Sequence, residues 1–143
     1  MSKSSVPLRI LVDTGFWIAL YDTGDSRHAR ALANSDLVEE YPVVVPWPVL
    51  YEAVGTRLVK RQGFARFENV LKRSDTLLLD DCPYREDCLD EVFSKGKRPL
   101  SLVDSVLRHI LDDTDVRIEG LLTFNPKDFS DVCARRGVEI VPL

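Results

Sequence analysis

Four short apolar runs, at residues 8–12 (broken only by Arg9), 43–45, 77–79 and 118–122 (broken by Glu119), are each too short for a helix, and each is set off from the next by a longer stretch of helical pattern. That alternation decides the fold class. Parallel neighbours in a sheet need long, usually helical crossovers, whereas antiparallel neighbours need only a tight turn. The chain is therefore predicted to be α/β, a three-layer α/β/α sandwich with a central, mainly parallel sheet. Helices are expected at residues 16–21, 27–37, 48–61, 64–72, 84–93, 101–111 and 127–136. Asp25 or Ser26 can cap the second, Pro48 can open the third, Gly63 separates the third from the fourth, and Gly137 suits a left-handed cap after the last. In the helix at 101–111, Val103, Val106, Leu107 and Ile110 form one stripe. Residues 94–100 read as a loop and 139–141 as a closing strand. With 143 residues and no internal repeat, residues 1–143 are expected to form a single domain.

The first strand runs into Asp13-Thr14-Gly15. An aspartic protease carries this tripeptide, but it is built almost entirely of strands and needs two copies of its Asp to share a proton. Here one copy exists, and helical sequence follows it. In an open α/β sheet, by contrast, ligands collect at the carboxyl ends of the strands, which is where Asp13 lies. An aspartyl-phosphate phosphatase would need a second Asp two residues after the first, where this chain has Gly15.

Composition narrows the remaining choices. The chain is 45% hydrophobic and 29% charged, with no apolar run near the ~20 residues of a membrane span and no basic-then-apolar leader pattern, so a soluble cytoplasmic protein with no membrane partner is expected. Cys82, Cys88 and Cys133 lack metal-type spacing and are odd in number, which argues against both zinc and disulfides. A net charge of −4 excludes coating nucleic acid by bulk attraction, so any such contact must be local. Candidate cations are Arg57, Lys60, Arg61, Arg66, Lys72, Arg73 and the run from Lys95 to Arg98; for each, a solvated surface role is the plain alternative.

Several acidic or amide positions can reach the Asp13 end of the sheet. Glu52 interrupts the apolar stretch Val49, Leu50, Ala53, Val54; Asp104 opens the striped helix; Asn125 and Asp128 follow the fourth strand. Each has a structural alternative. Ser101 to Asp104 fits an acidic capping box, Glu52 fits a surface helix face, and Asp128 fits a first-turn acid favoured by the helix dipole. Gathered together, such carboxylates would repel by roughly 3 kcal/mol per pair at ~5 Å and an effective dielectric of ~20. A divalent cation removes that repulsion, and an oxygen-only donor set favours Mg²⁺ or Mn²⁺ over zinc. His28 and His109 are read as surface, capping or packing residues, Trp17 and Trp47 as core or interface, and Thr14 and Thr123 as local hydrogen-bonding groups.

The segments Ile10-Leu11-Val12-Asp13-Thr14, Tyr51-Glu52, Ser101-Leu102-Val103-Asp104 and Leu121-Leu122-Thr123-Phe124-Asn125-Pro126-Lys127-Asp128-Phe129, in this order across almost the whole chain, resemble the four signature segments of PIN domains, especially the VapC-like toxin ribonucleases. The resemblance implies a compact α/β/α domain that hydrolyses RNA phosphodiesters with Mg²⁺ or Mn²⁺, leaving 5′-phosphate and 3′-hydroxyl ends. Asp13, Glu52 and Asp104 match the three principal acidic positions. The fourth, often Asp, is Asn125, which keeps an oxygen but loses a charge; Asp128 can compensate. On this reading Asp13 and Asp104 ligate the cation, Glu52 ligates it or orients the attacking water, and Asn125 or Asp128 completes the shell. A toxin-like role further implies a homodimer and a protein antitoxin. The rival is a non-catalytic PIN-fold module that binds RNA or protein.

Overall fold

The computed structural model describes residues 9–94 and 99–143. Strands β1 (Ile10–Val12), β2 (Val43–Pro46), β3 (Leu77–Leu79), β4 (Gly120–Leu122) and β5 (Glu139–Ile140) form one sheet in the order β3-β2-β1-β4-β5. Every pairing is parallel, with Leu11 opposite both Val44 and Leu121, and Val45 opposite Leu78. β1, β2 and β4 are almost wholly buried, as strands covered on both faces must be.

Helices fill the crossovers. α1 (Thr14–Tyr21) packs against α2 (His28–Leu32), α4 (Trp47–Ala53) and α6 (Phe64–Leu71), while α8 (Leu102–Asp112) packs against α7 (Arg85–Phe93) and α9 (Ser130–Arg136). Right-handed crossovers put these two groups on opposite faces, because the chain leaves β1 in one direction and later returns to β4 on its other side. This is the expected three-layer α/β/α sandwich.

Two of the expected helices are each divided in two. The stretch at 27–37 becomes α2 and a separate α3 (Asp36–Glu39), and that at 48–61 becomes α4 and α5 (Thr56–Val59). Asn34 turns its amide back onto the Arg30 carbonyl at 3.0 Å, and Gly55 adopts extended backbone (φ −95, ψ 176), so neither stretch continues as one helix. Asp25 does not cap α2 in the expected way; its carboxylate accepts from the Arg27 N–H at 2.9 Å, an Asx turn one step earlier. The last expected helix begins as a 3₁₀ turn, Pro126–Asp128, and becomes α9 only at Ser130. Gly137 takes the left-handed cap (φ 68). Leu8 and residues 95–98 lie outside the described residues.

The core on the α1 side is aromatic. Trp17 stacks on Phe67 at 4.9 Å and Tyr21 on the same ring at 5.3 Å. Gly63 lets α6 come this close, since a Cβ there would sit 2.5 Å from the Tyr21 carbonyl oxygen and 3.0 Å from its Cα. Both are backbone atoms that a rotamer change cannot move. Gly63→Ala is therefore expected to cost about 1–3 kcal/mol and to lower the melting temperature by roughly 5–10 °C. A thermal melt that coincides with wild type would show that the two helices are not in tight register here.

Candidate functional site

The topology selects one end of the sheet. β1 leads by its crossover to β2 on one side, while β4 pairs with it on the other, so the carboxyl ends of β1 and β4 flank the point where strand order reverses. Asp13 follows β1 directly and caps α1, accepting from the Thr14 N–H at 2.7 Å. Thr123 follows β4 directly, is buried, and donates its hydroxyl to the other Asp13 oxygen at 2.9 Å. The Thr123 oxygen in turn accepts the Asn125 N–H at 3.0 Å. Both Asp13 oxygens are thus held, one by each of two neighbouring strand ends.

Three more carboxylates face this point. Glu52, on the exposed side of α4, accepts the Thr14 hydroxyl at 2.7 Å. Asp104 lies in the first turn of α8, where Ser101 makes the helix cap by accepting the Asp104 N–H at 3.0 Å. Asp128 closes the 3₁₀ turn after β4. Their charges act on one another. Burial raises the Asp13 carboxyl above its ordinary value, against the lowering effect of its two hydrogen bonds, and Glu52 and Asp128 push it further up. The Asp104 carboxyl is pushed up to about 6, first by burial, then by Asp13 and Asp128, and more weakly by Glu52. Asn125 is exposed and its backbone N–H is spent on Thr123.

Four carboxylates from four separate elements therefore share one partly buried site, without His or Cys. Among the described residues, no three His, Cys, Asp or Glu side chains form a ready-made metal cage. The donor chemistry nonetheless suits a hard divalent ion. Mg²⁺ keeps several of its waters and commonly takes only one or two protein carboxylates directly.

The fold has a counterpart among solved structures. VapC20 of Mycobacterium tuberculosis, described as a sarcin-ricin loop cleaving toxin, superposes with a TM-score of 0.63 at 22% identity, over 85% of this chain and 94% of that one. The fold is that of a VapC-like PIN domain. No family model matches the sequence, and curated proteins give no significant match.

Within the PIN fold, the two threonines do more than the local bonding expected of them. Thr14 reaches 38 residues ahead to Glu52, and Thr123 reaches back 110 residues to Asp13. A hydroxyl within two residues of the end of each flanking strand was the available signal. Replacing Thr123 by Val keeps the shape but leaves one of the two Asp13 oxygens without its donor and the Asn125 N–H without that acceptor. A loss of about 1–3 kcal/mol in stability is expected, restored largely by Thr123→Ser. Equal melting of the Val and Ser variants would refute this role.

The histidines are structural. His28 Nδ1–H donates to the Ala19 carbonyl at 2.8 Å, tying α2 to α1, and His109 pairs with Glu91 at 3.1 Å. Trp17 is fully buried, whereas Trp47 is exposed and tilts against exposed Tyr51. Most of the cations expected to meet nucleic acid are engaged elsewhere. Arg57 and Arg61 pair with buried Asp22, Arg66 with Glu39, Lys72 with Glu68, and Arg73 with Asp75 and the Val38 and Glu39 carbonyls. Apart from Lys72–Glu68, which joins α6 to its own cap, these contacts staple α5, α6 and the segment before β3 to the rest of the domain. Lys95 to Arg98 lie outside the described residues.

Proposed function

We propose that this chain is an Mg²⁺- or Mn²⁺-dependent endoribonuclease and the toxin of a toxin–antitoxin pair. The observation that carries this reading is the set of mutually repelling carboxylates Asp13, Glu52, Asp104 and Asp128 at the topological switch point. A fold that gathers negative charge against its own stability needs a compensating cation, and the PIN fold shared with an RNA-cleaving toxin supplies the substrate class.

Asp13 and Asp104 are the proposed direct ligands. Glu52 is a ligand or the orienter of the attacking water, and Asp128, with Asn125 beside it, completes the shell. A bound Mg²⁺ or Mn²⁺ would polarise the phosphoryl group and promote attack by water. The Asp13 carboxylate is held at both oxygens, so its direction is set before any ligand arrives. Glu52, exposed and bonded to the Thr14 hydroxyl, has freedom to swing toward a water. Asp104 keeps a fraction of its proton near neutral pH until positive charge reaches it.

Protein partners are proposed at the groove lined by α7, the start of α8 and the start of α4. Leu89 and Leu102 are exposed and, with Pro48, Val103 and Val106, line a cavity of about 330 Å³; Phe93, 80% exposed, lies one turn beyond Leu89 on α7. An apolar face of this kind supports a homodimer or an antitoxin that covers it. Among the described residues no helix is long and apolar enough to cross a membrane, and a cytoplasmic location is proposed from the RNA substrate.

Incubating the purified chain with a sarcin-ricin loop hairpin and with an unrelated RNA, with Mn²⁺ and with EDTA, tests the activity. Cleavage only with metal, leaving 5′-phosphate ends, is expected. In parallel, Mn²⁺ at ~100 times its dissociation constant should add about 2.7 kcal/mol of stability, and far less in Asp13→Asn. A folded protein that cleaves no RNA and whose melting ignores Mn²⁺ would be a non-catalytic RNA-binding or protein-interaction module. Growth arrest on expression, relieved by a neighbouring gene product, tests the toxin role.

A further inference from the structure

Two further cations, Arg27 and Arg30, stand at the start of α2. The guanidinium carbons of Arg27, just before α2, and of Arg30, within it, each sit 5.0 Å from the centroid of one ring, Phe124. Phe16 supports that ring from α1 at 6.0 Å, nearly parallel. Arg27 has no ion-pair partner among the described residues, and Arg30 gives one N–H to the Leu143 backbone oxygen at 2.9 Å. Two like charges three residues apart on one side of a helix repel each other, and a single phenyl ring does not neutralise them. Such a pair attracts an anion.

Its position indicates which anion. Phe124 lies between Thr123, which holds Asp13, and Asn125. On the α1 side the same two places are joined by three consecutive residues: Thr14, bonded to Glu52; Gly15; and Phe16, stacked on Phe124. Gly15 is exposed in the first turn of α1, where glycine is a poor helix former, and a Cβ added there would meet nothing within 4 Å. The fold has no need of glycine at this position. What the missing side chain leaves is bare, exposed backbone between Thr14, which bonds Glu52, and Phe16, which stacks on Phe124.

We propose that Arg27 and Arg30, held over Phe124, form a phosphate clamp that grips the RNA strand next to the acidic site, with Gly15 as the floor over which the strand passes to reach it. The clamp rests on the ribonuclease reading above. An acidic site repels a polyanion at every phosphate except the one its cation neutralises, so a chain of net charge −4 needs a local grip just beyond that point. Guanidinium suits the purpose because its planar fork bonds phosphate oxygens in pairs while its face stays stacked on a ring. The ring also fixes the two side chains in advance, so less freedom is lost on binding.

The experiment uses Arg27→Ala, Arg30→Ala, Arg27→Lys and Gly15→Leu, after melting curves show that each is folded. Affinity for a short fluorescent single-stranded RNA is measured in EDTA across a salt series, and cleavage is measured with Mn²⁺. Each Ala variant is expected to weaken binding about 5–10-fold at low salt and to flatten the log–log salt dependence by ~0.7 for each phosphate no longer neutralised, raising KM with kcat nearly unchanged. Arg27→Lys should keep the slope and lose part of the affinity. Gly15→Leu should weaken binding with the slope intact, because it obstructs the path without removing charge. If wild type binds and cleaves RNA while both Ala variants match it in affinity and slope, the clamp is overturned and the pair is left to an acidic protein partner. If wild type itself neither binds nor cleaves any RNA, the ribonuclease reading fails first and takes the clamp with it.

Discussion

Asp104→Asn is expected to reduce RNA cleavage by ~10²-fold or more, beyond the 10–100-fold typical of residues that only support a ligand, while leaving the metal-free protein as stable as wild type or more so. The two halves of this expectation have separate causes. The cap of α8 is made by the Ser101 hydroxyl on the Asp104 N–H, and the carboxylate's own bond with the Ser101 side chain is one that an Asn amide oxygen can also accept. Asn keeps the helix and the side-chain volume but cannot offer the negative charge a hard cation requires. The carboxylate itself is a burden when no cation is bound. Its folded value, about 6, lies above its ordinary one, so the folded state holds the proton more tightly than the unfolded chain does. Stability therefore rises as pH falls through about 6 and is lost as pH rises through it, the reverse of an ion-paired carboxylate. Burial lifts Asp13 in the same direction. In EDTA, wild type should melt higher near pH ~5 than near pH ~8, and Asp104→Asn should lose much of that difference. A variant that is cleavage-competent, or one that unfolds, would make Asp104 a capping residue after all.

The parts of this protein that were legible in its sequence are those set by pattern along the chain. Short runs such as residues 43–45 and 77–79 between helical stretches sufficed for a parallel sheet, because a buried strand and a crossover helix each leave a distinct periodicity. The positions of Asp13, Asp104 and Asp128 near one end followed from knowing which residues come directly after strands or open helices. What pattern could not reveal was pairing across the chain. Thr123 as the donor to Asp13 depends on β1 lying beside β4, a fact of topology. The splitting of the helix at 48–61 turned on Gly55, an exchange of local propensity for the ion pairs that α5 and the turn after it make to Asp22. The cations mislead for the same reason. Arg57, Arg61 and Arg66 look free in a linear sequence because their acidic partners, Asp22 and Glu39, lie some 27 to 39 residues away, whereas Arg27 and Arg30, beside Asp25 and Ser26, look like ordinary helix-start residues.

The fourth position of the site separates what spacing implies from what geometry supports. By resemblance that position belongs to Asn125, yet it is Asp128 that adds, after burial and after Glu52 or Asp13, to the upward push on both Asp13 and Asp104, while Asn125 is exposed and spends its backbone N–H on Thr123. Asp128→Asn is therefore expected to raise the Mn²⁺ concentration for half-maximal cleavage about tenfold, equivalent to about 1.4 kcal/mol. One charge ~4 Å from a divalent ion is worth several kcal/mol at an effective dielectric of ~20, most of it offset by desolvation. Asn125→Asp adds a charge at the rim, where solvent screens it, and should lower the midpoint by a smaller factor. Combining both changes moves the carboxylate by three residues. If the turn at Pro126–Asp128 holds position 128 toward the site, the double variant should stay closer to Asp128→Asn than to wild type. A double variant restored to the wild-type midpoint would place the fourth donor at 125, with Asp128 acting only through its charge. An Asp128→Asn midpoint equal to wild type would remove Asp128 from the site and leave Asp13, Glu52 and Asp104 to hold the cation alone.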